Sequence, residues 1–129
     1  MQPGKKAFQP VIAGCLLLEM RGQLKGFMRA LCVDPVFRGK SIGTKMITLI
    51  EKRVFKESPN FFVMVSSFNT GAKKLYERLG FSEAGLLKDY VVKGSDEYLM
   101  RKSVCPGNEF NAEYPYFDQT NSRDRETAL

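Results

Sequence analysis

A segment in the first half of the chain, residues 33–45 (VDPVFRGKSIGTK), has the glycine, lysine and serine spacing of phosphate-binding turns. The tripeptide Gly-Lys-Ser at residues 39–41 is how the phosphate loop of a nucleotide hydrolase ends, yet Asp34 stands where that loop needs its first glycine. A strand, a tight turn and a helix onset remain, and such a unit binds phosphates through backbone N–H groups and the helix dipole. The segment therefore predicts a phosphate site for a different ligand.

The sequence contains no histidine, and this removes several kinds of catalytic chemistry. Ser-His-Asp and Cys-His nucleophilic sites, histidine-ligated zinc and the commonest general base at neutral pH are all excluded. Carboxylates, tyrosines, water and backbone groups remain. A reaction in which the cofactor already carries an activated group fits this restriction best.

The charge of the chain is unevenly distributed over its 129 residues. Residues 1–105 carry 18 basic and 9 acidic side chains, whereas residues 106–129 carry 2 basic and 5 acidic ones. We predict one domain over 1–105, suited to an anionic ligand, followed by a polar acidic tail whose only anchors are Tyr114, Tyr116 and Phe117. The same charge would support weak nucleic-acid association, but no specific nucleic-acid partner is predicted.

The three cysteines, Cys15, Cys32 and Cys105, are too few and too scattered for a metal site, and their odd number argues against a disulfide framework. We therefore predict no metal and a reducing, cytoplasmic location. No apolar window is long enough to cross a bilayer, so no membrane association is predicted.

The hydrophobic pattern predicts an α/β protein of the α+β type with the element order ββαβαββ. The two strands flanking the first helix are expected to be parallel and joined by a right-handed crossover. The predicted elements are strands at 11–19 and 24–33, a helix from Ile42 ended at 57–59, a strand at 61–66, a helix capped by Asn69 or Thr70 and stopped by Gly80, and a hairpin of strands at 81–92 and 97–104.

Two motifs in this order resemble those of the GNAT superfamily of acetyl-CoA-dependent N-acyltransferases. Residues 33–44 are similar to its acetyl-CoA motif, [QR]-x-x-G-x-[GA], and residues 69–81 (NTGAKKLYERLGF) match its second signature, N-x-x-A-x-x-[LF]-Y-x-[KR]-x-G-F. The resemblance covers about residues 11–104 and is nearest in pattern to N-terminal protein acetyltransferases. It implies a mixed, mostly antiparallel sheet with a central splayed parallel strand pair and flanking helices.

The start of the chain departs from this family. Its members usually begin with a strand, one or two helices and a strand before the hairpin, and here only about ten residues precede the first strand. These elements normally form one wall of the acceptor site. The interpretations are a partial reading frame, a minimal enzyme completed by a partner subunit, or a coenzyme A-binding protein that has lost catalysis.

The resemblance implies that the turn holds the pyrophosphate of coenzyme A and that backbone at 31–33 pairs with the pantetheine arm and stabilises the oxyanion. Ser41 replaces the usual glycine, and binding is expected to survive unless that position needs a positive φ. Cys32 is expected to be a small buried apolar residue rather than an acyl carrier. The predicted cofactor-binding residues are Leu31, Cys32, Val33, Arg38, Gly39, Lys40, Ser41, Ile42, Gly43, Thr44, Asn69 and Tyr76.

Tyr76 is the predicted catalytic residue. The resemblance implies that its hydroxyl protonates the departing coenzyme A thiolate and that Asn69 holds the pantetheine arm or the helix start. The competing interpretation is a core aromatic whose hydroxyl is satisfied by backbone. The base that deprotonates the amine is open, because strand 24–33 contains no carboxylate or tyrosine. The carboxylates able to act through water are Glu19, Asp89 and Glu97.

The acceptor is predicted to be a protein or peptide N-terminal amine, with Tyr90 as a substrate-binding residue. Cross-strand packing of Tyr90 against Tyr98 would explain both tyrosines equally well. The alternatives are acetylation of a small amine, such as a polyamine or amino sugar, and a non-catalytic coenzyme A-binding regulatory module. An uncovered strand edge and apolar face also predict a homodimer or larger assembly.

Overall fold

The computed structural model of the protein describes residues 9–111, which form five strands, two α-helices and two short 3-10 turns. The predicted order ββαβαββ is confirmed. The elements are β1 (Gly14–Glu19), β2 (Phe27–Val33), a 3-10 turn (Pro35–Phe37), α1 (Ile42–Val54), β3 (Asn60–Ser66), α2 (Thr70–Arg78), β4 (Ser82–Val92), β5 (Ser95–Ser103) and a 3-10 turn (Gly107–Glu109).

The connection between β1 and β2 is longer than predicted, because two glycines reverse the chain over several residues. Gly22 and Gly26 both have positive φ, at 85° and 87°. A Cβ on Gly26 would lie 2.4 Å from the Asn60 carbonyl oxygen, so only glycine allows the chain to pass this close to β3. β2 therefore begins at Phe27 rather than at residue 24.

The strands form one sheet in the order β1-β2-β3-β5-β4. Only β2 and β3 are parallel, and their register contains just two pairs, Phe27↔Phe62 and Met28↔Val63. Beyond these pairs β2 continues to pair with β1, and β3 continues to pair with β5 as far as Ser66. The carboxyl ends of the two parallel strands therefore diverge, and the predicted splayed pair is confirmed.

A β-bulge lies at the point where the strands begin to diverge. Leu17 is opposite Ala30 and Leu18 is opposite Met28, so Arg29 is an extra residue in β2. The extra residue shifts the alternation of side chains by one position. Met28 and Leu31 consequently both contact the core, although Leu31 is three positions after Met28 and strict alternation would place them on opposite faces.

Both helices pack on the same face of the sheet, where aromatic rings join them to β3. The Phe61 ring lies 6.4 Å from that of Phe55 at the end of α1, and 5.1 Å from that of Phe81. Phe81 in turn contacts Tyr76 of α2 at 5.7 Å between centroids. The opposite face is more open, since Leu17 of β1 is 60% exposed there.

Within residues 9–111 no helix is both long enough and apolar enough to cross a membrane. The same part of the chain contains no cluster of three metal-ligating side chains. The domain boundary predicted after residue 105 stays a prediction, and the predicted tail anchors Tyr114, Tyr116 and Phe117 lie outside the described residues.

Candidate active site

The turn between β2 and α1 is held in place by its own polar groups. The Asp34 carboxylate accepts a hydrogen bond from the Val36 N–H at 2.9 Å and so caps the 3-10 turn. The Arg38 guanidinium donates through Nε to the Val33 carbonyl at 3.0 Å. The Asp34 carboxylate therefore stabilises the turn itself. The Arg38 guanidinium uses only Nε in the bond to Val33, so its other N–H groups take no part in that bond.

The backbone that follows is rich in free donors. Among the described residues, the N–H groups from Gly39 to Thr44 donate to no acceptor, and the first helical bond at this end runs from Lys45 N–H to the Ser41 carbonyl at 3.0 Å. The first turn of α1 carries no acidic side chain. The positive end of the helix dipole thus coincides with six consecutive unpartnered donors, which favours an anion.

Ser41 has a positive φ, which is the condition under which serine was expected to be less well tolerated than glycine at this position. It has φ 59° and ψ 24°, in the left-handed region, and its side chain makes no capping hydrogen bond. A non-glycine residue in this region costs about 1–2 kcal/mol. The position is therefore strained in the protein.

Gly43 lies where α1 approaches β2. A Cβ placed there would be 3.7 Å from Val33 Cγ2 and 3.8 Å from Leu31 Cδ2, which is ordinary contact. The first turn of α1 therefore packs directly on the end of β2. Leu31 and Val33 point toward the helix, and the turn at residues 38–44 follows the end of β2 beside the gap between the parallel strands.

The prediction that Cys32 is buried is wrong, since its side chain is exposed. Leu31 and Val33 face the helices, so the alternation of the strand directs Cys32 to the opposite, more open face. There it lines a groove of about 370 Å³ together with Cys15, Val33, Arg38 and five neighbouring residues. Tyr76 and Asn69 do not line this groove.

Asn69 caps the second helix, at the carboxyl end of β3. Its side-chain carbonyl accepts a hydrogen bond from the Ala72 N–H at 3.1 Å, and its backbone N–H donates to the Ser66 carbonyl at 2.9 Å. The cap uses the oxygen of the amide and leaves its NH₂ group. Because parallel strands end at the same edge of a sheet, Asn69 and the turn at residues 38–44 flank the gap from its two sides.

Tyr76 is a core residue of α2 and is only 8% exposed. Burial raises the pKa of its hydroxyl above the ordinary value of 10.0, so the hydroxyl keeps its proton at neutral pH. Within residues 9–111 no group forms a hydrogen bond with this hydroxyl. The hydroxyl of a buried tyrosine normally has a hydrogen-bond partner. The competing interpretation of Tyr76, a core aromatic whose hydroxyl is satisfied by backbone, therefore lacks its backbone partner among these residues.

Of the three carboxylates considered as bases, only Glu97 lies at the open end of the gap. Glu19 is opposite Phe27, where the parallel strands still pair, and it accepts the Arg21 N–H at 3.0 Å. Asp89 accepts the Gly94 N–H at 2.6 Å in the turn of the β4–β5 hairpin. Glu97 is opposite Ser66, whose hydroxyl donates to its Oε1 at 2.7 Å.

Tyr90 and Tyr98 are not cross-strand partners, so that explanation for the two tyrosines is wrong. The partner of Tyr98 is Leu86, because an irregularity between Leu87 and Val92 shifts the register of the hairpin. Tyr98 instead lies under the Lys73 ammonium, 4.0 Å from the ring centroid. Tyr90 is 58% exposed near the tip of the hairpin.

The fold and site define a class of α+β protein in which a turn with unpartnered backbone N–H groups and a capped helix flank a splayed pair of parallel strands. The chain belongs to the acetyltransferase (GNAT) family, whose model matches residues 6–81.

Among curated proteins, it is 27% identical to the N-alpha-acetyltransferase MAK3 of Arabidopsis thaliana over 88 residues, covering 67% of this chain and 46% of that protein. It is 34% identical to an N-alpha-acetyltransferase of Sulfurisphaera tokodaii over 79 residues, covering 59% of this chain and 47% of that protein. The chain thus spans about half the length of these relatives. Among solved structures, the NatC complex bound to Gag peptide and CoA matches with a TM-score of 0.66 and 23% identity, covering 77% of this chain and 66% of that one.

Proposed function

We propose that this protein is an acetyl-CoA-dependent N-acetyltransferase that transfers the acetyl group directly to a primary amine. The observation that carries the proposal is the row of six unpartnered N–H groups from Gly39 to Thr44, placed beside the gap between β2 and β3. This row would bind the pyrophosphate, with charge supplied by Arg38 and Lys40. Membership of the GNAT family supports the same cosubstrate, and no metal is part of the proposal.

The pantetheine arm would lie in the gap. Backbone at the end of β2, over residues 31–33, has no partner strand on the side of β3 among the described residues, so an extended arm can pair with it as an added strand. The β-bulge at Arg29 stands at the closed end of this gap. An N–H freed by the bulge, or one from residues 31–33, would stabilise the oxyanion of the tetrahedral intermediate.

The chemical step would use groups from both faces of the sheet. The amine nitrogen attacks the thioester carbonyl, the C–S bond breaks, and the coenzyme A thiolate takes the proton of the Tyr76 hydroxyl. The proton of the attacking amine passes through water to Glu97. Glu97 then releases this proton to solvent, and solvent reprotonates the Tyr76 hydroxyl. Tyr76 and Met100 belong to the core beneath the helices, whereas Glu97, three positions before Met100 on β5, faces the open side with Ser66.

The acceptor in this proposal is a protein or peptide N-terminal amine. The support is that both curated relatives are N-alpha-acetyltransferases. The exposed Tyr90 on the hairpin is the proposed contact to the peptide backbone. The two alternatives to this function are acetylation of a small amine and coenzyme A binding without catalysis.

The test is acetyl-CoA turnover by the purified chain against four acceptors: a peptide with a free N-terminus, the same peptide with a blocked N-terminus, a polyamine and an amino sugar. We expect coenzyme A release and an equal amount of acetylated product with the free peptide alone. Product on the polyamine or sugar would identify the small-amine enzyme. Calorimetric binding of acetyl-CoA without any product would identify the binding module, and tighter binding of ATP than of acetyl-CoA would contradict the cofactor itself.

We further propose the cytoplasm as the location, because Cys15, Cys32 and Cys105 are all free thiols. The homodimer stays a prediction. Its support is that β1 is an edge strand and that Leu17 is exposed on the open face.

A further inference from the structure

Two cysteines face each other across the outermost strand pair. Cys15 of β1 is directly opposite Cys32 of β2, and both are free and exposed. The side chains of directly opposite residues point to the same face of a sheet, so the two thiols are neighbours on the open face. Cys105, in contrast, is buried, with only 8% of its surface exposed.

The hydrogen-bond phase of the ladder gives the separation of the two backbones. The Asp34 N–H donates to the Ala13 carbonyl at 2.7 Å, so this opposite pair is a hydrogen-bonded one. Cys15 and Cys32 lie two residues further along each strand and have the same phase, for which the Cα atoms are about 5.5 Å apart. A disulfide requires a Cα separation of about 4.4–6.8 Å, which this pair meets, and a Cβ separation of about 3.5–4.5 Å, which is shorter than the roughly 5.5 Å between opposite Cβ atoms of a hydrogen-bonded pair. Closing the bond therefore draws the two strands together locally and leaves the disulfide strained and readily reduced, as suits a reversible dithiol.

The two thiols are also open to a small reagent. Both line the groove of about 370 Å³. Its remaining wall comes from residues around Val33 and Arg38, at the start of the turn that follows β2. One half of a low-molecular-weight disulfide can therefore approach either sulfur from the same side.

We propose that Cys15 and Cys32 form a redox-active dithiol that closes to an intramolecular disulfide by exchange with a low-molecular-weight disulfide such as glutathione disulfide. The thiolate of one cysteine attacks a glutathione sulfur, forming a mixed disulfide and releasing one glutathione. The second cysteine then attacks the protein sulfur of that mixed disulfide and releases the second glutathione. Two protein thiols are oxidised, one glutathione disulfide is reduced, and the two thiol protons go to the departing thiolates.

The disulfide would fasten an edge strand. Among residues 9–111, β1 pairs only with β2, so in this part of the chain one ladder holds it to the sheet. The cross-link closes a short loop and constrains the unfolded chain, which stabilises the folded state. This consequence follows from the strand pairing and does not depend on acetyl transfer.

The experiment uses the full chain, reduced and then equilibrated in glutathione buffers of increasing oxidised fraction, quenched by alkylation and digested with trypsin. Cleavage after Lys6, Arg21, Arg29 and Arg38 places the two cysteines in separate peptides, residues 7–21 and 30–38. We expect these peptides to appear disulfide-linked, in an intact protein of monomer mass that has lost two hydrogens. The melting temperature of the oxidised protein should rise by about 2–5 °C, because strain in the bond offsets part of the stabilisation from loop closure.

Three variants serve as controls. Cys105→Ser should form the linked peptides as the wild type does, whereas Cys15→Ser and Cys32→Ser should stop at a single glutathione adduct with no rise in melting temperature. Glutathione adducts on both cysteines without the linked peptides would overturn the proposal. A covalent dimer on a non-reducing gel, or a link involving Cys105, would overturn it equally.

Discussion

The two motif regions that flank the splayed strands are built in opposite ways. At the end of β2 the turn is exposed, its N–H groups from Gly39 to Thr44 lack partners in the part of the chain that the structure describes, and Ser41 has a left-handed backbone conformation. At the end of β3 the helix is capped by Asn69 and buried around Tyr76. In the proposed function, the region at the end of β2 therefore binds the ligand through its backbone, whereas the region at the end of β3 contributes the buried side chain of Tyr76.

The largest expected effect comes from placing a charge at the first region. Gly43→Glu should weaken acetyl-CoA binding by at least about 100-fold, because like charges brought together cost several kcal/mol. Gly43→Ala is the matched control, since a Cβ there meets Val33 and Leu31 only at ordinary contact distance. Isothermal calorimetry on both variants decides the matter. Equal binding by the two would remove the turn from the cofactor site.

A smaller effect is expected from the open face. Glu97→Gln keeps an oxygen for the Ser66 hydroxyl but cannot take the ammonium proton, so kcat should fall by about 10- to 100-fold. Ser66→Ala removes the same hydrogen bond and keeps the carboxylate, so it should lower kcat less. The measurement is steady-state turnover at saturating peptide. A deeper loss in Ser66→Ala than in Glu97→Gln would show that the pair is structural.

The strain at Ser41 gives a stability test of the first region. Ser41→Gly should raise the melting temperature by about 2–5 °C, because relief of the left-handed strain exceeds the added entropy of the unfolded chain. Ser41→Ala keeps the strain and loses no capping bond, so it should show no gain. Thermal unfolding of the three proteins by circular dichroism checks this. A lower melting temperature for Ser41→Gly would contradict it.

The smallest effect concerns the second region at alkaline pH. Burial raises the pKa of Tyr76, so above pH 10.0 the unfolded chain loses this proton while the folded chain retains it. Stability from this residue is therefore complete below pH 10.0 and is lost as the pH rises above it. Between pH 9 and 11 the wild type should lose on the order of 1–3 °C more melting temperature than Tyr76→Phe. Parallel curves for the two proteins would exclude this linkage.

Periodicity and turn residues predicted the element order and narrowed the cap of the second helix to Asn69 or Thr70, because both depend on local signals. The splayed strands were predicted only through the resemblance to the GNAT superfamily. The orientation of Cys32 could not be predicted in this way. A strand pattern leaves open which face is covered, and a single extra residue such as Arg29 exchanges the two faces. The cross-strand partner of Tyr98 could not be predicted for a similar reason, because the irregularity between Leu87 and Val92 has no clear signal in the sequence.

The comparison between the two regions is tested most directly by Tyr76→Phe, with kcat, acetyl-CoA affinity and melting temperature measured on one preparation and with the acceptor found in the turnover screen. Removing the hydroxyl oxygen should lower kcat by about 10- to 1,000-fold. The affinity and the melting temperature near neutral pH should change little, because the ring keeps its packing on Phe81 and the hydroxyl has no partner within residues 9–111 to lose. A normal kcat with a lower melting temperature would show that Tyr76 only packs the core, and the proposed division between a binding backbone and a catalytic side chain would then be wrong.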